Sequence, residues 1–323
     1  MKHLFRDVEG GRLCPHGSVV CIGAFDGLHR GHRALVGRAV ARARELGVDA
    51  VALSFEPLPR EFFAGAQHPS QPLPSRLSLP RAKFEGLRAL GVDRVGLLRF
   101  DARMAAMSAQ DFIQRVLVQR LHVRETLVGP GFRFGHGRGG DLALLRAMGE
   151  CNGFSANEIE PVFVDGERVS SSRIRALLAA GDLDAAARLL GRPYAIAGKV
   201  VHGNRLGRTL GFPTANLRLA GKLPALGGIF ATRVHAAGLE NWPSASSLGT
   251  RPTVDGTERL LEAHLFDFDG DLYGQRIEVE FVAKLRDELR FDNLDALTEQ
   301  MHRDAEQARA ILGMQQQRRG AIA

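Results

Sequence analysis

The chain has 323 residues, 45% hydrophobic and 24% charged, which fits a globular protein long enough for two cores. No apolar stretch approaches the roughly 20 residues of a membrane span, charges occupy the N-terminus where a signal peptide needs an apolar core, and three cysteines without CxxC spacing speak against a disulfide framework or a thiolate zinc cluster. A reducing, cytoplasmic setting with no membrane partner is expected. The formal charge of +7 comes mostly from arginine, with only five lysines (Lys2, Lys83, Lys199, Lys222, Lys284), and guanidinium forks suit phosphate.

In chain order, the run Val19, Val20, Ile22 reads as a strand. It leads into GAFDGLHRGHRAL (Gly23 to Leu35) and a helical spacing of Leu35, Val36, Ala39, Val40, Ala43 and Leu46. A glycine-rich strand-to-helix turn presents free N–H groups and favours phosphate. His29 and His32, three apart, can face one ligand from the first helical turn. Metal binding is the weaker reading, because no third ligand lies at matching spacing. A second strand, Val48 to Phe55, ends in SFEP, where Pro57 and Pro59 are expected to stop regular structure. Residues 69–80 read as a loop, Arg81 to Leu90 as a helix, Arg94 to Leu98 as a strand, and Ser108 to Val118 as a helix with a capping-box start. Thr126 to Gly129 is a fourth strand and Leu142 to Met148 a helix. Between them GPGFRFGHGRGGD (Gly129 to Asp141) reads as a ligand loop or as a long surface loop. Pro161 to Val164 is a candidate fifth strand, and a serine-capped helix runs from Val169 to Gly181. The alternation implies a parallel, doubly wound α/β domain, residues 1–187.

From about Arg188 the pattern changes to short strands: Tyr194 to Val201, Gly228 to His235, Ala245 to Leu248, Leu260 to Asp267 and Leu272 to Val282. Asp269-Gly270 is expected to close a hairpin between the last two. The second domain, residues 188–323, is therefore expected to be a small antiparallel β-barrel carrying a terminal helix with the stripe Leu294, Leu297, Met301, Ala305, Ala308, Leu312. The tail beyond Gly313 is expected to fray.

The turn at His29, the loop from Gly129 and the helix start at Ser170 to Arg175 should converge at the sheet's C-terminal edge as an anion site. Imidazole donors there suit charge developing on a phosphate, and Ser171, Ser172 and Arg173 can hold leaving phosphates. In GKVVHGNRLGRTLGFPTAN (Gly198 to Asn216), the glycines allow close approach to phosphate. Thr214 and Asn216 put two hard oxygens on one side of an extended segment, as Mg²⁺ accepts. Glu262 alternates with the apolar trio Leu261, Ala263 and Leu265; taken alone, that is more often the pattern of a merely solvated carboxylate. A nucleic-acid role is allowed by charge, but the second domain lacks the aromatic cluster that stacks bases, and no nucleic-acid partner is expected.

GAFDGLHRGH, SFEP, GFRFG with its following arginine and SSSRIR, in this order, resemble the adenylyltransferase half of the prokaryotic bifunctional riboflavin kinase/FAD synthetases. GFPTAN, LGTRPT and LEAHLFDFDGDLYG resemble the riboflavin kinase half. The match runs from about Val19 to Gly313. It implies a Rossmann-like nucleotidylyltransferase domain and a riboflavin kinase-like barrel, with ATP, riboflavin, FMN and FAD as substrates and products, Mg²⁺ as cofactor, and a monomer or weak homo-oligomer. For adenylyl transfer it implies His29, His32 and Arg173, with ATP contacts from Gly23, Phe25, Asp26, Gly27 and Gly31 and from Ser171, Ser172 and Arg175. Flavin contacts fall on Phe55, Pro57, Phe132, Phe134 and Arg138. For the kinase it implies Glu262 as general base and Thr214 and Asn216 as Mg²⁺ ligands. ATP contacts there are Gly198, His202, Gly203, Gly207, Arg208, Gly211 and Pro213, and Arg251 contacts flavin. Two departures from the family pattern are Gly131 before the FRFG phenylalanine and SLG at Ser247 to Gly249 in place of NIG.

Overall fold

The computed structural model describes residues 3–67, 73–203, 207, 210–219, 222–253 and 256–320. Its contacts divide into two compact units, residues 1–74 with 80–171, and residues 75–79 with 172–323.

The first unit is a six-stranded sheet of β1 (Leu4–Phe5), β2 (Ser18–Ile22), β3 (Asp49–Glu56), β4 (Arg94–Arg99), β5 (Val123–Val128) and β6 (Ser155–Glu158), in the order β1-β4-β3-β2-β5-β6. All five pairings are parallel. Alternate residues of β2 enter different cores. Val20 and Ile22 pack with Phe112, Ile113, Val116 and Leu117, whereas Val19 and Cys21 pack with Leu35, Val36, Ala39 and Ala43. Burial on both faces is why β2 reads as a continuous apolar run. Helix α1 (Arg30–Leu46) supplies the second face and ends at Gly47, whose left-handed φ of 66° lets its N–H reach Ala43 and Arg44 carbonyls. Leu46, counted in the sequence stripe, instead faces outward, 41% exposed.

Three expectations need correction in this unit. Pro59 does not stop regular structure; it opens helix α2 (Pro59–Gln67), because a first-turn residue needs no N–H partner. The stretch around Pro161 to Val164 contributes only Phe163–Val164, paired with Glu167–Arg168 in a separate two-stranded ribbon, and β6 takes its place in the sheet. The helix expected from Ser108 starts as predicted, with Ser108 Oγ accepting from the Asp111 N–H at 3.0 Å, but Phe112–Arg120 continues it as a π-helix.

The second unit opens with helices α7 (Ser171–Ala180, whose first residue belongs to the first unit) and α8 (Leu183–Leu190); α8 was not foreseen. A closed antiparallel barrel follows. Its strands are β9 (Ala195–Val201), β10 (Ala215–Arg218), β11 (Gly228–Ala236), β12 (Leu239–Thr253), β13 (Gly256–Leu265) and β14 (Arg276–Arg286), ordered β10-β13-β12-β11-β14-β9, and β9 pairs back to β10. Phe230, Val234, Leu248, Leu261, Ala263 and Val279 are fully buried. The expected Asp269-Gly270 hairpin is absent: both edges of β13 are taken by β12 and β10, and those of β14 by β11 and β9, so residues 266–275 cross between non-neighbours. The terminal helix, Leu294–Gly320, continues past Gly313 rather than fraying there, its glutamines and arginines being good helix formers. Ala308 and Leu312 bury against Ala231 and Phe266, and Arg286 grips Asp304 by paired hydrogen bonds of 2.6–3.1 Å. No described helix is long and apolar enough to cross a membrane.

Burial pushes the thiols of Cys14 and Cys21 up to about 12, Cys14 with added repulsion from Asp49, whereas Cys151 is exposed. Only the thiolate reacts. Titration of the native protein with a disulfide reagent at neutral pH should therefore modify one thiol quickly and the other two only after unfolding.

Candidate active sites

In the first unit the chain leaves β2 into the Gly23–His29 turn and leaves the neighbouring β5 into the Gly129–Asp141 loop. Ile22 and Val128 stand at the same level, and the strand order reverses between these two strands. That is where open α/β sheets bind ligands. The turn is bent by left-handed backbone at Phe25 (φ 48°), Gly27 (91°) and Leu28 (46°), two of them bulky residues that resist it. Burial of both side chains holds them there, helped by Ser54, whose hydroxyl donates to Ala24 O at 3.0 Å. Asp26, 1% exposed, is gripped by Arg60 at 2.8 Å, and its carbonyl accepts from Ser171 Oγ at 3.0 Å.

His29 caps α1. Its Nδ1 accepts the His32 N–H at 3.3 Å, so the neutral imidazole carries its proton on Nε2. The two rings stack at 3.7 Å and 15°, and Phe25 meets His32 edge-on at 5.4 Å. A side chain at Gly31 would press on the His29 ring at 3.3 Å, and one at Gly23 on the Phe25 ring at 3.1 Å, which explains both glycines. Ser172 and Arg173 are exposed and Arg175 half-buried on the first turns of α7.

The Gly129–Asp141 loop is ordered. Phe134 and Gly140 exchange two backbone hydrogen bonds, Asp141 caps helix α6 (Leu142–Asn152), and Phe132 stacks on Phe134 at 5.4 Å. Phe134 in turn meets Phe112 (5.6 Å), which meets Phe55 (6.3 Å), which meets Phe100 (5.6 Å). Sequence reasoning named only Phe55, Phe132 and Phe134 of this aromatic row, because Phe100 and Phe112 lie outside the motifs. Pro57 follows Glu56 directly after β3, and Arg138 is exposed. Gly131 N–H donates to Glu158 Oε2 at 3.1 Å.

In the second unit Asn216 of β10 stands opposite Glu262 of β13, which stands opposite Ser247 of β12. Leu261 and Ala263 are fully buried, whereas Glu262 opens into a cavity of about 820 Å³. Thr214, Asn216, Ser247, Glu262 and His264 form its polar wall. Leu260, Phe291, Leu294, Leu297 and Met301 form an apolar one, so four of the six stripe residues, with Ala305, line the cavity, and Ala305 also packs against the core. Gly207 and Phe212 also line it, and the Gly207 carbonyl accepts from Leu210 and Phe212 N–H, which folds the glycine-rich segment on itself. Gly211 takes φ 83°. Gly203 leaves room for the Asn216 amide, 2.6 Å from where a Cβ would stand. Gly198 lies in β9, and the His202 ring meets that of Tyr273 at 4.0 Å, tilted by 32°. Arg208 lies outside the described residues, as does the side chain of Arg251.

Asn216 Nδ2 donates to Thr214 O at 3.2 Å, and its buried Oδ1 has no hydrogen-bond partner among the described residues. A buried amide oxygen left in that state is costly. A hard-oxygen cation bound by Thr214 and Asn216 fits it, whereas the described residues hold no His/Cys/Asp/Glu metal cluster.

The helix N-terminus at the switch point of the parallel sheet and the Glu262 carboxylate in the barrel cavity are the two candidate sites. Residues 12–173 match the family model for FAD synthetase and residues 190–312 that for riboflavin kinase. The chain is 45% identical over 310 residues to the bifunctional riboflavin kinase/FMN adenylyltransferase of Pseudomonas fluorescens, covering 95% of this chain and 97% of that one. It is 43% identical over 312 residues to that of Escherichia coli K12, covering 96% and 98%. A solved structure described as a macrolide-efflux protein from Streptococcus pneumoniae superposes with TM-score 0.73 at 31% identity, over 91% of this chain and 94% of that one. The chain belongs to the bifunctional riboflavin kinase/FMN adenylyltransferase family.

Gly135 offers a check on the ordered loop. It has φ 73°, and a Cβ there would lie 2.6 Å from the Ala109 backbone nitrogen, whereas Gly137 (φ 59°) faces open space. Gly135→Ala should destabilise the first unit by about 1–3 kcal/mol more than Gly137→Ala in thermal unfolding, the excess being steric.

Proposed function

We propose a residue-level division of labour for a chain with both activities of its family: riboflavin phosphorylation in residues 188–323 and FMN adenylylation in residues 1–187. The observation that carries it is the pairing of Glu262 with Asn216 across one cavity wall, the amide oxygen having no hydrogen-bond partner among the described residues.

A ribityl hydroxyl is a weak nucleophile at neutral pH. Glu262 accepts its proton as the oxygen attacks the γ-phosphate of ATP, a contribution of about 10²- to 10⁴-fold. The apolar wall of the cavity holds the isoalloxazine and excludes water, and the segment from Gly198 to Pro213 lies along the phosphates. Thr214 and Asn216 would hold Mg²⁺, which when bound would neutralise charge on the ATP phosphates. Arg251 contacts the flavin.

FMN already carries a largely dianionic phosphate, whose second pKa is about 6, so the adenylyl transfer needs no general base. Positioning and charge stabilisation suffice. The Nε2–H of His29 and the imidazole of His32 donate to the ATP phosphates as charge develops. Arg173 stabilises the leaving pyrophosphate with Ser171, Ser172 and Arg175, and the Phe55 to Phe134 aromatic row with Arg138 receives the flavin. The three cysteines without disulfide partners support a cytoplasmic setting.

Supplied with riboflavin and Mg²⁺-ATP, the protein should accumulate FMN and then FAD in a chromatographic time course. Glu262→Gln should lower FMN formation by about 10²- to 10⁴-fold and leave adenylylation of supplied FMN intact; His29→Ala with His32→Ala should do the reverse, by about 10²-fold or more. Loss of both steps from either substitution in folded protein would show the two-site assignment to be wrong.

A further inference from the structure

Strand β10 begins beside the pair Ala215–Ala263, one step from Asn216–Glu262. The chain before it cannot extend the ladder as a strand donor, because Pro213 has no N–H. At that point a side chain takes over. His264, the next residue along β13, places its Nδ1 2.9 Å from the Pro213 carbonyl. A carbonyl only accepts, so Nδ1 carries the proton. The imidazole edge also packs on Phe212 (5.1 Å, 63°), whose other contact is His302 (4.8 Å, 68°). Burial, aided by the nearby Arg309 charge, lowers the His264 pKa and keeps the ring neutral, against the opposing pull of the Pro213 bond and of Asp267.

We propose that His264 is a positioning residue for the kinase: through its Nδ1–H bond to Pro213 it extends the β10–β13 pairing by one step and fixes Thr214 in register with Glu262. His264 and Thr214 line the same cavity wall as Glu262, so the phosphate-side ligands and the base are set by one strand. The inference rests on the reading of Thr214 and Asn216 as the Mg²⁺-ATP contacts. It assigns His264 no contact with substrate.

The imidazole Nδ1 and the amide nitrogen of asparagine sit at the same distance from Cα, whereas the nitrogen of glutamine lies one bond further out. Riboflavin phosphorylation by the full-length chain, measured against Mg²⁺-ATP and against riboflavin for His264→Asn, His264→Gln and His264→Leu, separates the bond from the volume. Loss of one such bond should raise KM for Mg²⁺-ATP about five- to tenfold in the Gln and Leu variants. His264→Asn should stay near wild type, the riboflavin KM, which reports the folded barrel, should be unchanged, and adenylylation of supplied FMN should be normal throughout. Three variants alike, whether all shifted or all unshifted, or a riboflavin KM rising as much as that of ATP, would overturn the inference alone. Wild-type protein that formed no FMN would overturn the kinase reading beneath it.

Discussion

The candidate site in the barrel depends on one constraint, the register of β13 between β10 and β12 inside a closed barrel. Side chains alternate with a period of two, so a slip of one residue would exchange Glu262 for Leu261 or Ala263 and put a carboxylate into the core. Closure prevents the slip, because β9 pairs with both β14 and β10 and no edge is left to move. Buried hydroxyls add to the specification. Thr232 hydrogen-bonds Ser244 and Ser246, each at 2.7 Å, a satisfied polar cluster that fits only one pairing of β11 with β12. Asn216, Glu262 and Ser247 then form a row with no further instruction.

The first unit holds its site by another device. A parallel strand cannot turn tightly into a helix without unusual backbone, and here Phe25 and Leu28 take left-handed φ, each costing about 1–3 kcal/mol. Surrounding structure holds that strain: full burial of Phe25, the Asp26–Arg60 pair, the Ser54–Ala24 bond and the Ser171–Asp26 bond. Lys83, fully buried, reaches Ser54 Oγ at 3.3 Å and so links helix α3 (Pro80–Ala89) to the same turn. The result is a rigidly held helix N-terminus with His29 as its cap, the kind of preorganised donor set with which electrostatic stabilisation costs least at the moment of reaction.

Much of this was legible in the residues. The strand at Val19 to Ile22, the placement of Glu262 on the face opposite Leu261 and Ala263, and the Ser108 cap follow from periodicity and turn chemistry, and they stand in the structure. What the sequence hid was set by pairing across distance. Asp269-Gly270 has hairpin chemistry, yet barrel closure assigns β13 and β14 to different neighbours. Pro59 looks like a breaker until a helix is known to begin on it. Phe100 and Phe112, which complete the aromatic row, belong to no motif, and Arg60 and Lys83 look like solvated charges until burial of their partners is seen. His264 was visible only as one of the alternating residues beside Glu262.

Two chemistries explain two architectures. On the proposed assignment, a neutral hydroxyl needs a base held rigidly beside the phosphate, and a barrel strand would supply it; a dianionic phosphate needs only a preorganised set of donors, and a helix N-terminus would supply that. The most direct test follows label from ATP during conversion of riboflavin by the wild-type chain, with the γ-phosphate labelled in one reaction and the α-phosphate in the other. The account predicts γ-label in FMN, retained in FAD, and α-label in FAD alone. Label from the α-phosphate in FMN, or FAD formed without γ-label, would contradict it.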